Sequence, residues 1–340
     1  MMERNSDFFK AMLEQGHAHT PRLSWQATTP AEHAAWRRRF RARLGQVVGR
    51  MPERVPLEVE WDEKVEEPGF TRHKIYVRTE ANYWSPAFLF VPKGQRLPAP
   101  ALVCLHGHSG IYPYIREGTE AQKEMGRTHE LDYAPFFAEH GYVTIAPIVR
   151  GWNETKVNID PHESGCQRMV MDACLMGQTP VGLRCWDASR LVDFLQTQEY
   201  VEPGRIGVAG LSGGGFVGLY WAALEPRVKV AMIAGFYCTM VDSLYSIYHC
   251  LCNCVPGVLE WGEMREIAAL IAPRPLLAIS GKQDEIFPIE ATMRAYADLE
   301  PVYALLGAKG NLDHDWFDGP HAWSNRKTLP FLAKHLPLRG

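Results

Sequence analysis

The sequence has no long apolar run and no strong excess of either charge. No stretch of consecutive apolar residues reaches the length of about 20 that a membrane helix needs. The formal net charge at pH 7 is only -3, which gives no electrostatic basis for binding nucleic acid or an anionic membrane. The first residues lack the basic start and apolar core of a secretory signal. We therefore predict a soluble, cytoplasmic protein with no nucleic-acid or membrane partner.

Phosphate-binding and metal-binding signatures are also missing. The chain has no Gly-x-x-x-x-Gly-Lys-Ser/Thr, and no Gly-x-Gly-x-x-Gly opens an early βαβ unit. The run 250–254 has three cysteines beside His249 and suggests a metal, but it lacks the paired Cys-x-x-Cys spacing usual for zinc. We expect buried free thiols, no metal and no cofactor. A disulfide such as Cys166–Cys174 has no support from a secretory signal.

The chain is predicted to have two regions. Residues 1–54 are expected to form a helical appendage, with Thr29 as an N-cap and Pro30 in the first helical position. Residues 55–340 are expected to form one larger domain, with a possible cap insertion at 236–268. Apolar residues of the appendage suggest homo-oligomerisation, and packing on its own subunit is the open alternative; these residues are Phe8, Phe9, Met12, Leu13 and Trp25.

The apolar runs of the larger region predict a mixed sheet. Alternating segments at 57–65, 70–77 and 87–91 indicate antiparallel strands. Later apolar runs are continuous and alternate with helical segments, which indicates a parallel, doubly wound sheet covered on both faces. These runs are 101–105, 142–146, 206–209, 228–233, 275–279 and 302–306. Ligands bind beyond the carboxyl ends of such strands, so the residues after each run are candidates for the site.

One run ends in a motif that carries chemistry. The run 206–209 leads into Gly-x-Ser-x-Gly at 210–214, and a helical segment follows. This pattern is typical of a nucleophile elbow, in which both glycines avoid collisions around an exposed serine. A motif this short also occurs by chance. Its meaning therefore depends on whether the chain supplies partners for Ser212.

The partners follow later in the chain. Asp284 comes after the run 275–279 and is the predicted acid, ahead of its neighbour Glu285. His321 precedes the final helix and is the predicted base, with His314 as the alternative. Residues 106–110 directly follow the apolar run 101–105, and their glycine turn can aim a backbone N–H into the cleft. With the N–H of Gly213, it would form a two-donor oxyanion hole.

These residues resemble the α/β-hydrolase superfamily, whose triads have the order Ser, Asp, His, over roughly residues 55 to 338. Within it, the chain is similar to dienelactone-hydrolase-like and acetyl-xylan-esterase-like carboxylesterases. His106-Gly107-His108 resembles their oxyanion loop, which implies that the backbone N–H of His108 is the second donor. Arg150-Gly151 resembles the Arg-Gly after the corresponding strand, and Arg184-x-Trp186-Asp187 the start of the helix before the elbow.

The chain departs from this pattern at two positions. Dienelactone hydrolases proper use a cysteine nucleophile, where this chain has Ser212. Deacetylating relatives often carry Gln after the serine, where this chain has Gly213.

We predict a serine esterase that cleaves small-acyl or carbohydrate esters through an acyl-serine intermediate. A peptidase or amidase of the same fold and a binding protein that has lost catalysis are the alternatives. Four aromatic residues near the expected cleft are candidate substrate contacts: Tyr112, Trp152, Tyr237 and Trp323.

Overall fold

The computed structural model describes residues 7–156 and 164–339, which contain a single nine-stranded sheet in the order β1-β2-β3-β5-β4-β6-β7-β8-β9. Strands β1, β2 and β3 pair antiparallel in that order, and β3 also pairs antiparallel with β5. The remaining neighbours are parallel. The expected α/β-hydrolase architecture with antiparallel N-terminal strands is confirmed. The strands are β1 Val59–Glu66, β2 Phe70–Glu80, β3 Tyr83–Pro92, β4 Ala99–Leu105, β5 Val143–Pro147, β6 Val201–Leu211, β7 Val228–Ala234, β8 Leu276–Gly281 and β9 Leu312–Phe317.

Helices cover both faces of the sheet. Successive side chains of a strand point to opposite faces, and Val103 and Cys104 of β4 accordingly belong to different hydrophobic clusters. The helices are α1 Phe8–Ala18, α2 Pro30–Val47, α3 Glu120–Thr128, α4 Tyr133–Glu139, α5 Gly165–Leu175, α6 Pro180–Leu195, α7 Gly213–Leu224, α8 Val258–Trp261, α9 Met264–Ala269, α10 Ile289–Leu305 and α11 Thr328–His335. Among the described residues, none of these helices has both the length and the apolar character required to cross a bilayer.

Helix α2 begins as the sequence indicates and packs on its own subunit. The Thr29 hydroxyl accepts a hydrogen bond from the Glu32 N–H, and the Glu32 carboxylate accepts one from the Thr29 N–H, both 3.2 Å long. Such a reciprocal cap satisfies two of the N–H groups that a helix start leaves unpaired. Trp36, Phe40 and Leu44 of this helix are buried in the larger hydrophobic cluster.

Helix α1 lies over the segment 236–268. A Cβ added to Gly16 would be 2.9 Å from the Tyr245 ring, so the helix backbone touches that segment closely. Met12 and Leu13 are half-buried, whereas Phe8 and Phe9 are mostly exposed. Homo-oligomerisation through this helix stays a prediction.

One predicted strand is wrong. The run 302–306 forms the end of α10, and the last strand is β9, which pairs parallel with β8. Leu299, Val302 and Tyr303 are buried on one face of α10 at spacings of three and one. A short apolar run cannot be assigned to helix or strand by periodicity alone. The sequence predicted a loop at His314 because acidic residues surround it, but the structure places His314 within β9.

Candidate active site

Ser212 is held in a strained turn between β6 and α7. Its backbone has φ 58° and ψ -121°, outside the regions favoured by residues with a side chain. A Cβ on Gly214 would lie 1.9 Å from the Leu105 carbonyl oxygen, and one on Gly210 would lie 2.3 Å from the Gly214 carbonyl oxygen. Only glycine fits at both positions. The Ser212 N–H donates to the Ala234 carbonyl at 2.9 Å, which ties the elbow to β7.

Asp284 and His321 form a hydrogen-bonded pair. His321 Nδ1 lies 2.7 Å from Asp284 Oδ2. The other carboxylate oxygen accepts hydrogen bonds of 3.0 Å from the N–H groups of Ile286 and Phe287. Asp284 is buried, and the His321 ring stacks on Phe287. Because a carboxylate only accepts, the shared proton belongs to Nδ1, which leaves Nε2 able to act as a base.

His321 stands beside the elbow. A Cβ on Gly235, directly after β7, would be 2.7 Å from the His321 ring, and the preceding Ala234 binds the Ser212 N–H. Both Ser212 and His321 line one cavity of about 740 Å³. His321 Nε2 has no hydrogen-bond partner among the described residues, so no bond joins it to Ser212 in this structure. Such bonds are often formed only once a substrate is bound.

The structure does not bring the alternative acid and base to the cavity. Glu285 is exposed to solvent beside the buried Asp284. His314 is stacked on Trp316 in β9, and it is not among the described residues that line the cavity.

The loop after β4 runs over the elbow and is fixed by His106. His106 Nε2 accepts a hydrogen bond of 2.9 Å from the Val149 N–H. The ring proton is therefore on Nδ1, which donates a hydrogen bond of 2.8 Å to the Gly107 carbonyl. Burial lowers the pKa of His106 to about 3, which keeps the ring neutral. A Cβ on Gly107 would be 3.1 Å from Ser212 Cβ. The loop therefore approaches the serine at a distance that suits glycine.

His108 and Gly213 lie side by side next to Ser212. A Cβ on Gly213 would be 2.7 Å from the Cε1 atom of the His108 ring. Gly213 is the first residue of α7, where N–H groups have no partner within the helix. The two residues predicted to stabilise an oxyanion are thus brought together by the fold.

The His108 side chain enters a group of thiols. His108, Cys166, Cys250 and Cys252 each offer one ligand atom, and these four atoms lie within 4.8 Å of one another. Hydrogen bonds from Cys166 and Cys250, followed by the charge of Arg184, lower the pKa of Cys252. Burial alone would lower the pKa of His108, but its contacts with Cys166 and Cys252 outweigh burial and raise it to about 9.

This group of four side chains is not predicted by residue spacing along the chain. Cys166 and His108 are far apart in sequence from 250–254, and His249 contacts Ser243 instead. All eight cysteines are free, which leaves no Cys166–Cys174 disulfide. The prediction of buried thiols at 250–254 is wrong for Cys254, which is exposed, and Cys250 is only half-buried. Cys174 of α5 is also exposed. Only one face of α5 packs against the protein, and Cys174 lies on the other.

Arg150 and Arg184, from the two arginine motifs, connect the loop after β5 to α6 at the cavity wall. Arg150 binds Asp187 through two hydrogen bonds of 2.5 and 2.7 Å. Arg184 donates to the Arg150 carbonyl at 2.8 and 3.2 Å. The loop after β5 is thereby fastened to α6, and Trp152, two residues after Arg150, lines the cavity.

Three of the four aromatic residues predicted to contact substrate are not placed at the cavity. Tyr237 is buried, and its hydroxyl donates to the Ala295 carbonyl at 2.7 Å. Trp323 is buried against Tyr133, with ring centroids 4.3 Å apart. Tyr112 packs into a hydrophobic cluster. Large aromatic side chains are often used for core packing, and sequence proximity to a cleft does not distinguish the two uses.

The cavity wall is formed by residues from several segments of the described chain. Aromatic and apolar side chains line it together with polar and charged ones, and the segment 236–268 supplies part of one wall. The residues are His108, Ser109, Tyr114, Met125, His129, Leu131, Gly151, Trp152, Lys156, Ser164, Gly165, Cys166, Gln167, Leu211, Ser212, Tyr248, His249, Cys250, Leu251, Asn253, Ile286 and His321. Tyr114 lies two residues after Tyr112 in the loop 109–131, the segment in which the sequence places substrate specificity.

Comparison with known proteins agrees with this architecture. Residues 86–327 match the model of the dienelactone hydrolase family. YtaP of Bacillus subtilis (strain 168), which is provisionally named a hydrolase, is 27% identical over 278 residues, or 79% of this chain and 88% of YtaP.

Two solved structures share the fold at low sequence identity. A Bacteroides fragilis NCTC 9343 protein, provisionally named an acetyl xylan esterase, superposes with a TM-score of 0.77 at 16% identity, covering 92% of this chain and 83% of that one. A glucuronoyl esterase from Solibacter usitatus superposes with a TM-score of 0.67 at 18% identity, covering 94% of this chain and 98% of that one.

Proposed function

Because the chain belongs to the dienelactone hydrolase family, we propose that it is a serine carboxylesterase with Ser212 as its nucleophile. The observation that carries this proposal is the pairing of His321 with the buried Asp284 at the cavity that Ser212 also lines. A serine, a histidine and an acid in this order support nucleophilic catalysis on an acyl group.

The proposed reaction uses only groups of this chain. Ser212 Oγ attacks the ester carbonyl carbon while His321 Nε2 takes its proton, and Asp284 stabilises the resulting imidazolium. The N–H groups of His108 and Gly213 donate to the oxyanion. His321 then protonates the leaving alcohol, and an acyl-serine remains. Water attacks this intermediate, again with His321 as the base, and releases the acid and the free serine.

The cavity supports an ester with a small acyl group and a bulky polar alcohol. Its volume of about 740 Å³ is far larger than an acetyl group requires, and lies within the range of sites for whole small molecules. Trp152 and Tyr248 offer flat aromatic faces, while Lys156, Gln167 and Asn253 offer polar groups. A carbohydrate ester matches this mixture, and the two proteins of the same fold described above are named as esterases that act on acetyl xylan and on glucuronoyl esters.

The test of the nucleophile is Ser212→Ala with p-nitrophenyl acetate as substrate. We expect hydrolysis to fall to the uncatalysed rate while the thermal transition stays nearly unchanged. The matched control is Ser109→Ala, which removes another hydroxyl from the same cavity and should keep most of the activity. A fluorophosphonate probe should label wild-type protein at Ser212 alone. Full activity in Ser212→Ala would exclude the proposal.

The test of substrate class is an ester panel that varies acyl length and alcohol separately. Acetylated sugars should be cleaved with higher kcat/KM than acetyl esters of short alkyl alcohols. An equal kcat/KM for both alcohols would reject the carbohydrate assignment and leave the serine esterase assignment intact. An aminoacyl anilide in the same panel tests the amidase alternative.

A further inference from the structure

Four side chains with metal-binding atoms converge beside the oxyanion loop. His108 follows β4, and Cys166 lies in the first turn of α5. Cys250 directly precedes a 3-10 turn at Leu251–Asn253, and Cys252 lies within that turn. Their ligand atoms lie within 4.8 Å of one another, and His108 Nε2 is 3.2 Å from Cys252 Sγ. A tetrahedral zinc site has sulfur atoms about 3.8 Å apart, since Zn–S bonds are about 2.3 Å. Small side-chain shifts would close the group around one ion.

A buried positive charge accompanies the thiols. Arg184 is only 4% exposed, and no carboxylate among the described residues forms an ion pair with it. Its guanidinium donates to Cys252 Sγ at 3.2 Å and to Cys166 Sγ at 3.5 Å. A buried charge is costly unless an opposite charge accompanies it. Thiolates beside Arg184 would supply that charge, whereas neutral thiols would not.

The charges balance when a divalent ion is included. Three thiolates and one Zn²⁺ carry a net charge of -1, and Arg184 neutralises it. N–H groups that donate to metal-bound sulfur are a usual outer layer of such sites. Three thiolates without the ion would leave an excess negative charge in a largely buried place. Thiolate and imidazole ligands together favour zinc over Mg²⁺ or Ca²⁺.

We propose that His108, Cys166, Cys250 and Cys252 bind one zinc ion. Four protein ligands complete a tetrahedron and leave no position for water or substrate, so the site is structural. The ion would join three segments that are distant in sequence. It would also fix the ring of His108, whose backbone N–H is the proposed oxyanion donor. Arg184 acts as a positioning residue that neutralises the cluster.

The primary test measures zinc by mass spectrometry in protein purified under reducing conditions. Wild-type protein should contain one equivalent per chain, and Cys166→Ser and Cys252→Ser should lose it. The matched controls are Cys254→Ser and Cys174→Ser, which change exposed cysteines outside the cluster and should keep the full equivalent. Zinc at blank level in wild-type protein after incubation with Zn²⁺ would overturn the proposal, as would full retention in both cluster variants.

Two measurements on wild-type protein do not depend on the folding of any variant. Replacement of the ion by Co²⁺ should produce thiolate-to-cobalt charge-transfer absorption. Thiol titration of the denatured protein with a chelator present should find all eight cysteines reduced. Six titratable thiols, with the missing pair mapped by peptide mass spectrometry to two of Cys166, Cys250 and Cys252, would refute the zinc assignment.

The zinc proposal and the esterase proposal can be rejected independently of each other. Ser212→Ala should abolish hydrolysis and keep its zinc, because Ser212 is not a ligand. An inactive wild-type protein with one equivalent of zinc would reject the proposed function alone. An active wild-type protein with no zinc would reject the metal site alone.

Discussion

The imidazole of His108 occupies the space that a side chain at Gly213 would need. A Cβ at position 213 would be 2.7 Å from His108 Cε1 and 2.8 Å from Nδ1. The ring cannot easily move away, because its Nε2 contacts Cys252 and it packs against Trp152 in a T-shaped arrangement with ring centroids 5.5 Å apart. The glycine after the nucleophile, where deacetylating relatives often carry Gln, is thus explained by the neighbouring histidine.

Gly213→Ala should lower kcat for ester hydrolysis by about tenfold to a hundredfold. The new methyl group pushes the His108 loop away from the serine and weakens an oxyanion donor, and full loss of such a donor costs about 10²–10³ in kcat. The control is Gly204→Ala, on the exposed part of β6, where a Cβ has no heavy atom within 4 Å. Steady-state kinetics of ester hydrolysis measure kcat for both variants. Equal kcat values would contradict the steric argument.

Asp284→Asn should reduce kcat by about 10⁴ with little change in thermal stability. An amide at this position favours the wrong tautomer of His321 and no longer stabilises the imidazolium. Glu285→Gln serves as the control, because Glu285 is the exposed neighbour of Asp284 and should retain normal kinetics. If the two variants lost activity equally, the assignment of Asp284 as the acid would be wrong.

Asp187→Asn should destabilise the protein by about 3 kcal/mol in denaturant unfolding. Asp187 is buried and accepts hydrogen bonds from Arg150 and from the Thr79 hydroxyl. Neutralising Asp187 breaks two charge-assisted hydrogen bonds to the largely buried Arg150, which keeps Glu80 as its remaining acidic partner. Asp172→Asn is the comparison, since Asp172 is exposed and paired with Arg168 at the surface. Its effect should stay below about 1 kcal/mol, and similar losses in both variants would argue against a buried network.

His33→Gln should make the free energy of unfolding less sensitive to acid. Burial, and then the charge of Arg37, lower the pKa of His33, whose Nδ1 accepts a hydrogen bond from Trp25 Nε1 at 3.1 Å. The unfolded chain therefore binds more protons than the folded protein below about pH 6.5, and stability falls as the pH is lowered through that range.

Urea unfolding at pH 7.5 and pH 5.5 measures this effect. The wild type should lose more stability between the two pH values than His33→Gln, whose side-chain oxygen can still accept from Trp25. His140→Gln changes an exposed histidine and should behave as the wild type does. Identical pH dependence in wild type and His33→Gln would exclude a contribution from His33.

Local sequence signals predicted the elements that carry the proposed catalytic residues. The glycines at 210 and 214 identified the elbow because its geometry admits no larger residue, and the structure shows clashes for both. Thr29 and Pro30 located the start of α2 because capping depends on adjacent residues only. The run 302–306 was misassigned because a helix and a strand can share a short apolar sequence.

The sequence by itself determined eight of the nine strands of the described sheet, the elbow and the chain order of the proposed nucleophile, acid and base, because periodicity, turn chemistry and chain order are local or one-dimensional properties. Only the tertiary structure decided which aromatic residues line the cavity and which are core, as Trp152 and Tyr237 show. It also decided that Cys166 joins His108, Cys250 and Cys252. Such groupings depend on how three distant segments pack, and residue spacing along the chain carries no record of that packing.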